Sequence, residues 1–404
     1  MSKGNRPKIV VPILEMHKGQ QAVLDSIARF KVVVCGRRWG KTELGKRIVA
    51  QQLETGMATV WWIAPTYQMA GQVWRDLKRT FRQREDVTIN ESERRLDFDQ
   101  GGVLAIRSAH TPDNLRGAGL NYAVLDEAAF MAPDVWSEII QPMLLDKKGH
   151  ALLISTPNSK NWFWELYQLG LQGKAEWQSF HYPSEKNEYL DKEALTNIRS
   201  TITDRVWRQE YLAEFLDDSG QVFRGIRDAA TATETTPDQV RHTVAGVDWG
   251  REGDYTVIVV LDADTNTMLA MDRFNQIGWD FQRGRLKAMC ERWNVETIYA
   301  EANSIGSVNI EALEREGLPV LPFQTTAKSK PNLIEALALA IETREICLLP
   351  DDILLRELAA YTMRRSTSGQ WQYSAPTGSH DDCVIALALA WYALNTPRVR
   401  LEFA

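Results

Sequence analysis

Lys31-Val-Val-Val-Cys35, running directly into Gly36-Arg-Arg-Trp-Gly-Lys-Thr42, decides the fold. A short apolar run rich in β-branched residues reads as a strand buried on both faces, and the glycine-bearing turn after it opens a helix. Backbone N–H groups of such a turn cradle phosphates, and the helix N-terminus adds positive potential. On that geometry Lys41 reaches the β- and γ-phosphates of a nucleotide while the Thr42 hydroxyl holds Mg²⁺. The strict spacing, G-x4-G-K-[ST], is not met: Cys35 stands at the first glycine position and Gly36 follows one step late. Alone, the stretch also fits a basic surface loop carrying Arg37, Arg38 and Gly40.

Working outward, similar apolar runs recur at residues 58–64, 123–125 and 151–154, each followed by turn or polar residues. Strands alternating with helical stretches imply a parallel-rich sheet covered on both faces. Tyr122-Ala-Val-Leu-Asp-Glu-Ala128 ends a strand in adjacent acids: Asp126 is suited to hold the water shell of Mg²⁺ and Glu127 to polarise an attacking water. Two acids capping the next helix is the plainer reading. Leu153-Ile-Ser-Thr-Pro-Asn158 places Ser155 and Thr156 where they sense a γ-phosphate. Three strand ends together make an ATPase.

The alternation breaks over residues 216–242, rich in Asp, Thr and small residues, which reads as a linker with some short ordered pieces between domains at 1–215 and 243–404. After it, strands at 244–247, 256–261 and 268–274 precede a helix at 281–293, a strand at 297–300 and a final apolar helix at 381–394. Val247-Asp-Trp-Gly250, Ile298-Tyr-Ala-Glu301 and Ser379-His-Asp-Asp-Cys383 put acids at the ends of these elements. Two divalent ions, Mg²⁺ or Mn²⁺, roughly 4 Å apart need several carboxylates converging from different elements. Asp248, Glu301, Asp381 and Asp382 are the candidates, with the last pair left open between them. Asp254 reads as a turn-forming residue and His380 as a loop residue or a neighbour of the ligands.

Composition sets outer limits. The 404 residues are 44% hydrophobic and 25% charged, which is ordinary for a globular chain. A net charge of −6 excludes a uniformly basic DNA coat, though not local phosphate contacts. Arg75, Lys78, Arg79 and Arg82 fall on one helical face, suited to following a DNA backbone, or equally to solvation. Four cysteines are too scattered for a disulfide framework or a CxxC metal site, and the N-terminus shows no secretory pattern. No apolar run approaches the roughly 18 residues that cross a bilayer, so no membrane association is expected.

The chain resembles the large terminase subunits of tailed bacteriophages from about residue 17 to residue 394. His17-Lys-Gly-Gln20 resembles their adenine-recognising glutamine motif, and Gly36-Arg-Arg-Trp-Gly-Lys-Thr42 their deviant phosphate loop. Leu125-Asp-Glu-Ala128, Ser155-Thr-Pro157 and Trp207-Arg-Gln-Glu210 with Glu214-Phe215 resemble, in turn, the carboxylate pair, the coupling motif and the close of the ATPase domain. The later strand order, with Glu301-Ala-Asn-Ser-Ile-Gly306 and Gly378-Ser-His-Asp-Asp382, is similar to the family's ribonuclease H-like nuclease domain. The resemblance implies ATP-driven translocation of double-stranded DNA into procapsids and metal-dependent cleavage of the genome concatemer. It also implies a homo-oligomeric ring, pentameric in the family, a small terminase subunit and a portal protein as partners. The implied setting is the cytoplasm of an infected bacterium, outside the mature virion. Arg116, in Asn114-Leu-Arg-Gly117, matches an arginine finger of similar terminases, a role that Arg37 or Arg38 also fits. The rival readings are a P-loop helicase or repair nuclease and a nucleotide-gated DNA-binding adapter with purely structural carboxylates.

Overall fold

The computed structural model describes residues 15–115, 117, 119–217, 219–250, 254–303, 306–365, 371–376 and 378–396. The chain divides into two compact units, Met1–Asp217 and Asp218–Ala404.

The first unit is built on eight strands: β1 (Phe30–Cys35), β2 (Thr59–Ala64), β3 (Val87–Asn90), β4 (Arg95–Phe98), β5 (Val103–Ser108), β6 (Tyr122–Asp126), β7 (His150–Ser155) and β8 (Trp177–Tyr182). Their order is β3-β4-β5-β2-β6-β7-β1-β8. From β5 across to β8 every pairing is parallel, while β4 and then β3 add antiparallel at the other edge. That edge is absent from the sequence reading, because β3 and β4 are only four residues each and mostly half-exposed. The apolar run of β1 serves two cores at once. Val33 and Cys35 face one, with Trp62 and Ile48, while Val32 and Val34 face the other, with Trp61 and Ile63. A strand covered on both sides has no polar face to show, which is why the alternation is missing from the letters. Helices α1 (Lys18–Asp25), α2 (Lys41–Gln52) and α3 (Gly71–Phe81) join the first core, and α4 (Trp162–Leu171) closes the second.

The second unit carries β9 (Ser219–Gln221) and a five-stranded sheet of β10 (Thr243–Asp248), β11 (Thr256–Asp262), β12 (Thr267–Phe274), β13 (Val295–Glu301) and β14 (Val320–Phe323). The order is β12-β11-β10-β13-β14, antiparallel among the first three and parallel from β10 through β14. Its helices are α5 (Trp279–Trp293), α6 (Gly306–Arg315), α7 (Ser329–Glu342), α8 (Asp352–Ala360) and α9 (Asp382–Asn395). A small sheet pairs β9 with β15 (Thr362–Arg365) and β16 (Trp371–Ser374). Residues 216–242 carry the short ordered pieces expected of them, and from residue 218 they belong to the second unit: β9 pairs with β15, and Phe223, Ile226 and Ala229 are buried in the α9 core. Three inward apolar residues among Asp and Thr suffice for that, and composition averages them away.

Helix α9 lies against β10 at backbone distance. A Cβ added at Gly246 would overlap the carbonyl of Ala386 and the amide of Ala390. Small residues on the helix and no side chain on the strand together bring the start of α9 towards the end of β10. Gly246→Ala should push the two apart at a cost of about 1–3 kcal/mol. Gly284, on the exposed side of α5 with nothing within 4 Å of an added Cβ, should by contrast gain up to about 1 kcal/mol as alanine. Amide hydrogen exchange in the intact chain separates the two: α9 should exchange faster in Gly246→Ala and α5 no faster in Gly284→Ala. Unchanged exchange in α9 would contradict the close-packing account.

Candidate active sites

In the first unit the β1–α2 turn is held from outside by its carbonyls. Ser184 Oγ donates to Arg37 O at 2.7 Å and Asn187 Nδ2 to Arg38 O at 2.8 Å. Gln20 Nε2 donates to Gly40 O at 2.9 Å, and His17 Nε2 lies 2.8 Å from Trp39 O. In a planar trans peptide the N–H points opposite to the C=O, so carbonyls fixed outward turn the amides of Arg38, Gly40 and Lys41 into the loop. Arg38 (φ 62°) and Gly40 (φ 104°) take left-handed conformations to close the turn. At φ 104° any side chain on Gly40 is strained, and its Cβ would also displace Gln20 Nε2, 2.6 Å away, from the loop. Gly36 is equally confined, against Ser184 and the carbonyl of Tyr211. Trp39 is fully buried, stacked on Tyr182 at 4.8 Å with its edge towards His17.

Lys41 Nζ lies 3.1 Å from Glu127 Oε1. The other oxygen of Glu127 accepts from Ser155 Oγ at 3.2 Å and from the Thr156 amide at 3.4 Å. Glu127 sits at φ 55°, a strained setting for a side chain of its size. Thr42 follows Lys41 in the first turn of α2. Asp126 Oδ1 is buried with no hydrogen-bond partner. Burial first, and then the Glu127 charge, push the Asp126 carboxyl up to about 7, against the pull of Lys41. An orphaned carboxylate oxygen of this kind is the opening a hydrated cation fits.

Two clefts flank the turn. One, of about 1020 Å³, is lined by Arg37, Arg38, Lys41, Glu127, Thr156 and Glu210 among others. The other, of about 830 Å³, includes His17, Gln20, Gly40, Glu43, Lys46 and Arg47. Gln20 is already engaged at both ends of its amide, with Oε1 accepting from the His17 backbone at 3.2 Å. Arg37 is engaged too: its amide donates to Glu210 O at 2.7 Å and its Nε to Glu210 Oε2 at 2.6 Å. Arg116 lies outside the described residues. The supports Ser184, Asn187 and Glu210 come from about 150 residues downstream, and Ser184 and Asn187 carry no motif that marks them. The basic face of α3 is partly engaged within the unit, because Lys78 pairs with Glu91 at 2.5 Å and Arg75 donates to Gln72 at 2.6 Å.

In the second unit, β10 and β13 run parallel with Val247 opposite Ala300, which sets Asp248 beside Glu301 at the strand ends. Asp248 is buried, and its carboxyl lies well above the usual carboxylate range. Burial is the main cause, followed by the charge and hydrogen bond of Glu301 and the charges of Asp382 and Asp381. Asp381 stands at the N-cap of α9 and Asp382 is the helix's first residue. Burial raises Asp382 to about 6, opposed by the Tyr255 amide, which donates to Oδ2 at 3.2 Å. Asp381 Oδ2 lies 3.4 Å from Lys330 Nζ, and Asn303 Nδ2 donates to Glu301 Oε1 at 3.2 Å. His380 Nδ1 sits 3.6 Å from Asp382 and 3.7 Å from Asp254. Ligand atoms of Asp254, His380 and Asp382 lie within 4.8 Å of one another. The structure thus groups Asp248 with Glu301, and Asp382 with two residues that the sequence placed in supporting roles. A turn and a lone histidine carry no signal that β10–β11 brings Asp254 back to the head of α9.

Among the described residues no helix is long and apolar enough to cross a membrane. Residues 32–227 match the N-terminal domain of the T4likevirus-type terminase large subunit, and residues 245–394 match the terminase RNaseH-like domain. The terminase large subunit of Thermus virus P23-45 is 31% identical over 428 residues, covering 93% of this chain and 87% of that one. That of Escherichia phage T5 is 26% identical over 272 residues, covering 63% of this chain and 61% of its own. The crystal structure of a large terminase from a thermophilic bacteriophage shares the fold, at TM-score 0.57 and 14% identity, over 94% of this chain and 98% of that one.

The raised Asp126 carboxyl has a signed consequence. A folded value of about 7 against an ordinary 3.8 means that the folded state holds this proton more tightly. Its stabilising share is full below about pH 4 and is lost as pH rises through 7. Asp126→Asn, which mimics the protonated form, should stabilise the ligand-free first unit above pH 7 by a few kcal/mol and barely at all near pH 4. Hydrogen exchange at β6 in chelator-treated protein, followed against pH, measures it. An asparagine variant no better protected than wild type at pH 8 would remove burial as the cause.

Proposed function

This chain belongs to the terminase large subunit family, and on that premise we propose how its two sites divide the packaging and cleavage of DNA. The protein is an ATPase and an endonuclease. ATP hydrolysis is assigned to the domain at residues 1–215 and DNA cleavage to the ribonuclease H-like domain at 243–404. One observation carries the reading: each unit sets a pair of carboxylates at a strand end, Asp126 with Glu127 and Asp248 with Glu301, and the Asp of each pair is held above the usual carboxylate range by burial first and then by its neighbour's charge. Carboxylates with a purely structural role gain nothing from such placement, which disfavours the adapter reading.

At the first site the inward amides of the β1–α2 turn, with Lys41, receive the phosphates, and Thr42 and Asp126 hold Mg²⁺. Glu127, braced by Ser155 and Thr156, takes a proton from the attacking water. Lys41 and Glu127 form an ion pair, so a phosphate taken by the ammonium would leave the carboxylate free to act. Arg116, Arg37 and Arg38 are the candidates for the arginine that steadies transition-state charge. Arg37 is already tied to Glu210 twice.

At the second site Asp248, Glu301, Asp381 and Asp382 hold two divalent cations, Mg²⁺ or Mn²⁺. When bound, these ions supply an activated water and a counter-charge for the leaving oxygen. The substrate is double-stranded DNA. The working assembly is a ring of subunits, pentameric by family likeness, on a portal protein, with a small terminase subunit choosing the DNA. That work belongs to the cytoplasm of the infected host and not to the finished virion.

The separation of the two chemistries is testable in the intact protein. Glu127→Gln should bind ATP yet lose about 10²–10⁴-fold in hydrolysis, with plasmid cleavage retained. Asp248→Ala should do the reverse, cutting no plasmid in Mg²⁺ or Mn²⁺ while turning over ATP near the wild-type rate. Packaging into purified procapsids should fail for Glu127→Gln. Wild-type ATP turnover in Glu127→Gln, or wild-type cleavage in Asp248→Ala, overturns the corresponding assignment.

The finger has its own test. An arginine supplied by a neighbouring subunit is worth about 10³-fold or more. Mixtures of Arg116→Ala and Lys41→Ala subunits should therefore recover ATPase activity that neither variant shows alone. No recovery at any ratio, in assembled rings, excludes Arg116 as a finger acting between subunits.

A further inference from the structure

Asp248, Glu301, Asp381 and Asp382 meet at the head of α9, with Asp254 beside Asp382, and among the described residues Lys330 is the only lysine or arginine within 4 Å of any of them. Its position is an unusual one for a cation. Lys330 stands in the first turn of α7, which has no acidic residue there, at the positive end of the helix dipole. That turn is fastened to the site: Asn303 bonds both Glu301 Oε1 and the Thr325 carbonyl, while Ser329 Oγ bonds the Gln324 carbonyl at 2.7 Å. The ammonium is thereby delivered to Asp381, but loosely. At 3.4 Å the contact is longer than the roughly 2.7–2.9 Å of a tight charge-assisted bond. Both side chains keep roughly a quarter to a third of their surface open, at 27% and 30%. Arg273 is held differently. It is stacked on Tyr255 and paired with Glu357, which itself caps the Cys383 amide, so it is built into the wall.

We propose that Lys330 is a catalytic residue of the nuclease: its ammonium pairs with Asp381 and, where that carboxylate is engaged with metal, would bind the phosphate at the bond to be cut. The inference rests on the nuclease reading of Asp248, Glu301, Asp381 and Asp382. Its logic is charge balance. Metal held by Asp381 competes with the ammonium for that carboxylate and leaves the ammonium beside cations that repel it. A phosphodiester brings one negative charge to the same place. Lys330 thus holds the ligand-free cluster together and, in the loaded site, anchors substrate and steadies the charge that builds on the phosphoryl oxygens.

Lys330→Met in the intact protein tests this, because the proposal requires two effects of opposite sign. Plasmid cleavage should fall on the order of 10²-fold. Mn²⁺ affinity by calorimetry should rise about three- to tenfold, since a competing cation has been removed. Lys330→Arg should restore part of the cleavage, and ATP turnover should stay at the wild-type level in both variants. If Mn²⁺ affinity falls together with cleavage, Lys330 merely holds Asp381 in position and the proposal is wrong. Cleavage at the wild-type rate in Lys330→Met is equally fatal to it. Asp248→Ala run in parallel keeps the two levels apart. If that variant still cuts, the nuclease assignment itself has failed, whatever Lys330 does.

Discussion

Carboxylates set beside one another at strand ends, Asp126 with Glu127 and Asp248 with Glu301, are the constraint on which both units depend. Two like charges about 4 Å apart repel by about 4 kcal/mol even at an effective dielectric constant of about 20. Nothing in stability favours that arrangement. Asp126 is left with an unpartnered oxygen, and Asp248 shares a hydrogen bond with Glu301 that requires a proton. The folds around them read as the means of keeping the acids there. In the first unit, β6 and β7 run parallel and the strained Glu127 backbone is clamped by Ser155 and Thr156. In the second, Gly246 lets α9 lie on β10 at backbone distance, so that Asp381 and Asp382 arrive beside Asp248.

Each site meets the repulsion with one lysine. Lys41 lies on Glu127 and Lys330 on Asp381, and each belongs to the first turn of a helix. The two pairs differ in tightness, 3.1 Å against 3.4 Å, and in exposure, since Lys41 is largely enclosed at 13%. On the proposed roles, the ligand of each site would also break the pair: phosphate would compete for Lys41 and metal for Asp381. A lysine in this position keeps the acids compatible with a folded protein and becomes available when its partner is taken.

Much of this was legible in the letters. The continuous apolar runs of β1, β2, β6 and β7 mark strands with both faces buried. Lys41, Asp126, Glu127, Asp248 and Glu301 stand at strand-to-loop boundaries that sequence alone locates. The rest depends on long-range closure. Ser184, Asn187 and Glu210 secure the phosphate loop from a distance of about 150 residues, and two of them are ordinary polar residues in ordinary contexts. Asp254 looks like a turn residue because it is one, and only the β10–β11 pairing carries it to Asp382. Gln20, matched by resemblance to an adenine-reading residue, has its amide engaged by His17 and Gly40, a fact of side-chain packing that no motif contains. The segment 216–242 shows the limit of composition, which counts residues without saying which of them point inward.

Proton release on metal binding tests the central claim most directly. If Asp248 and Glu301 share a proton because burial and mutual repulsion forbid two charges, Mn²⁺ must displace it. Calorimetric titration of Mn²⁺ at pH 7 into the nucleotide-free intact chain carrying Asp126→Asn, which removes the other raised carboxyl, counts the protons set free when repeated in buffers of different ionisation enthalpy. The account predicts a release of about one proton that Asp248→Asn abolishes. Binding of Mn²⁺ with no proton released would mean that the carboxylates are already fully ionised, and would contradict the claim that their repulsion governs the site.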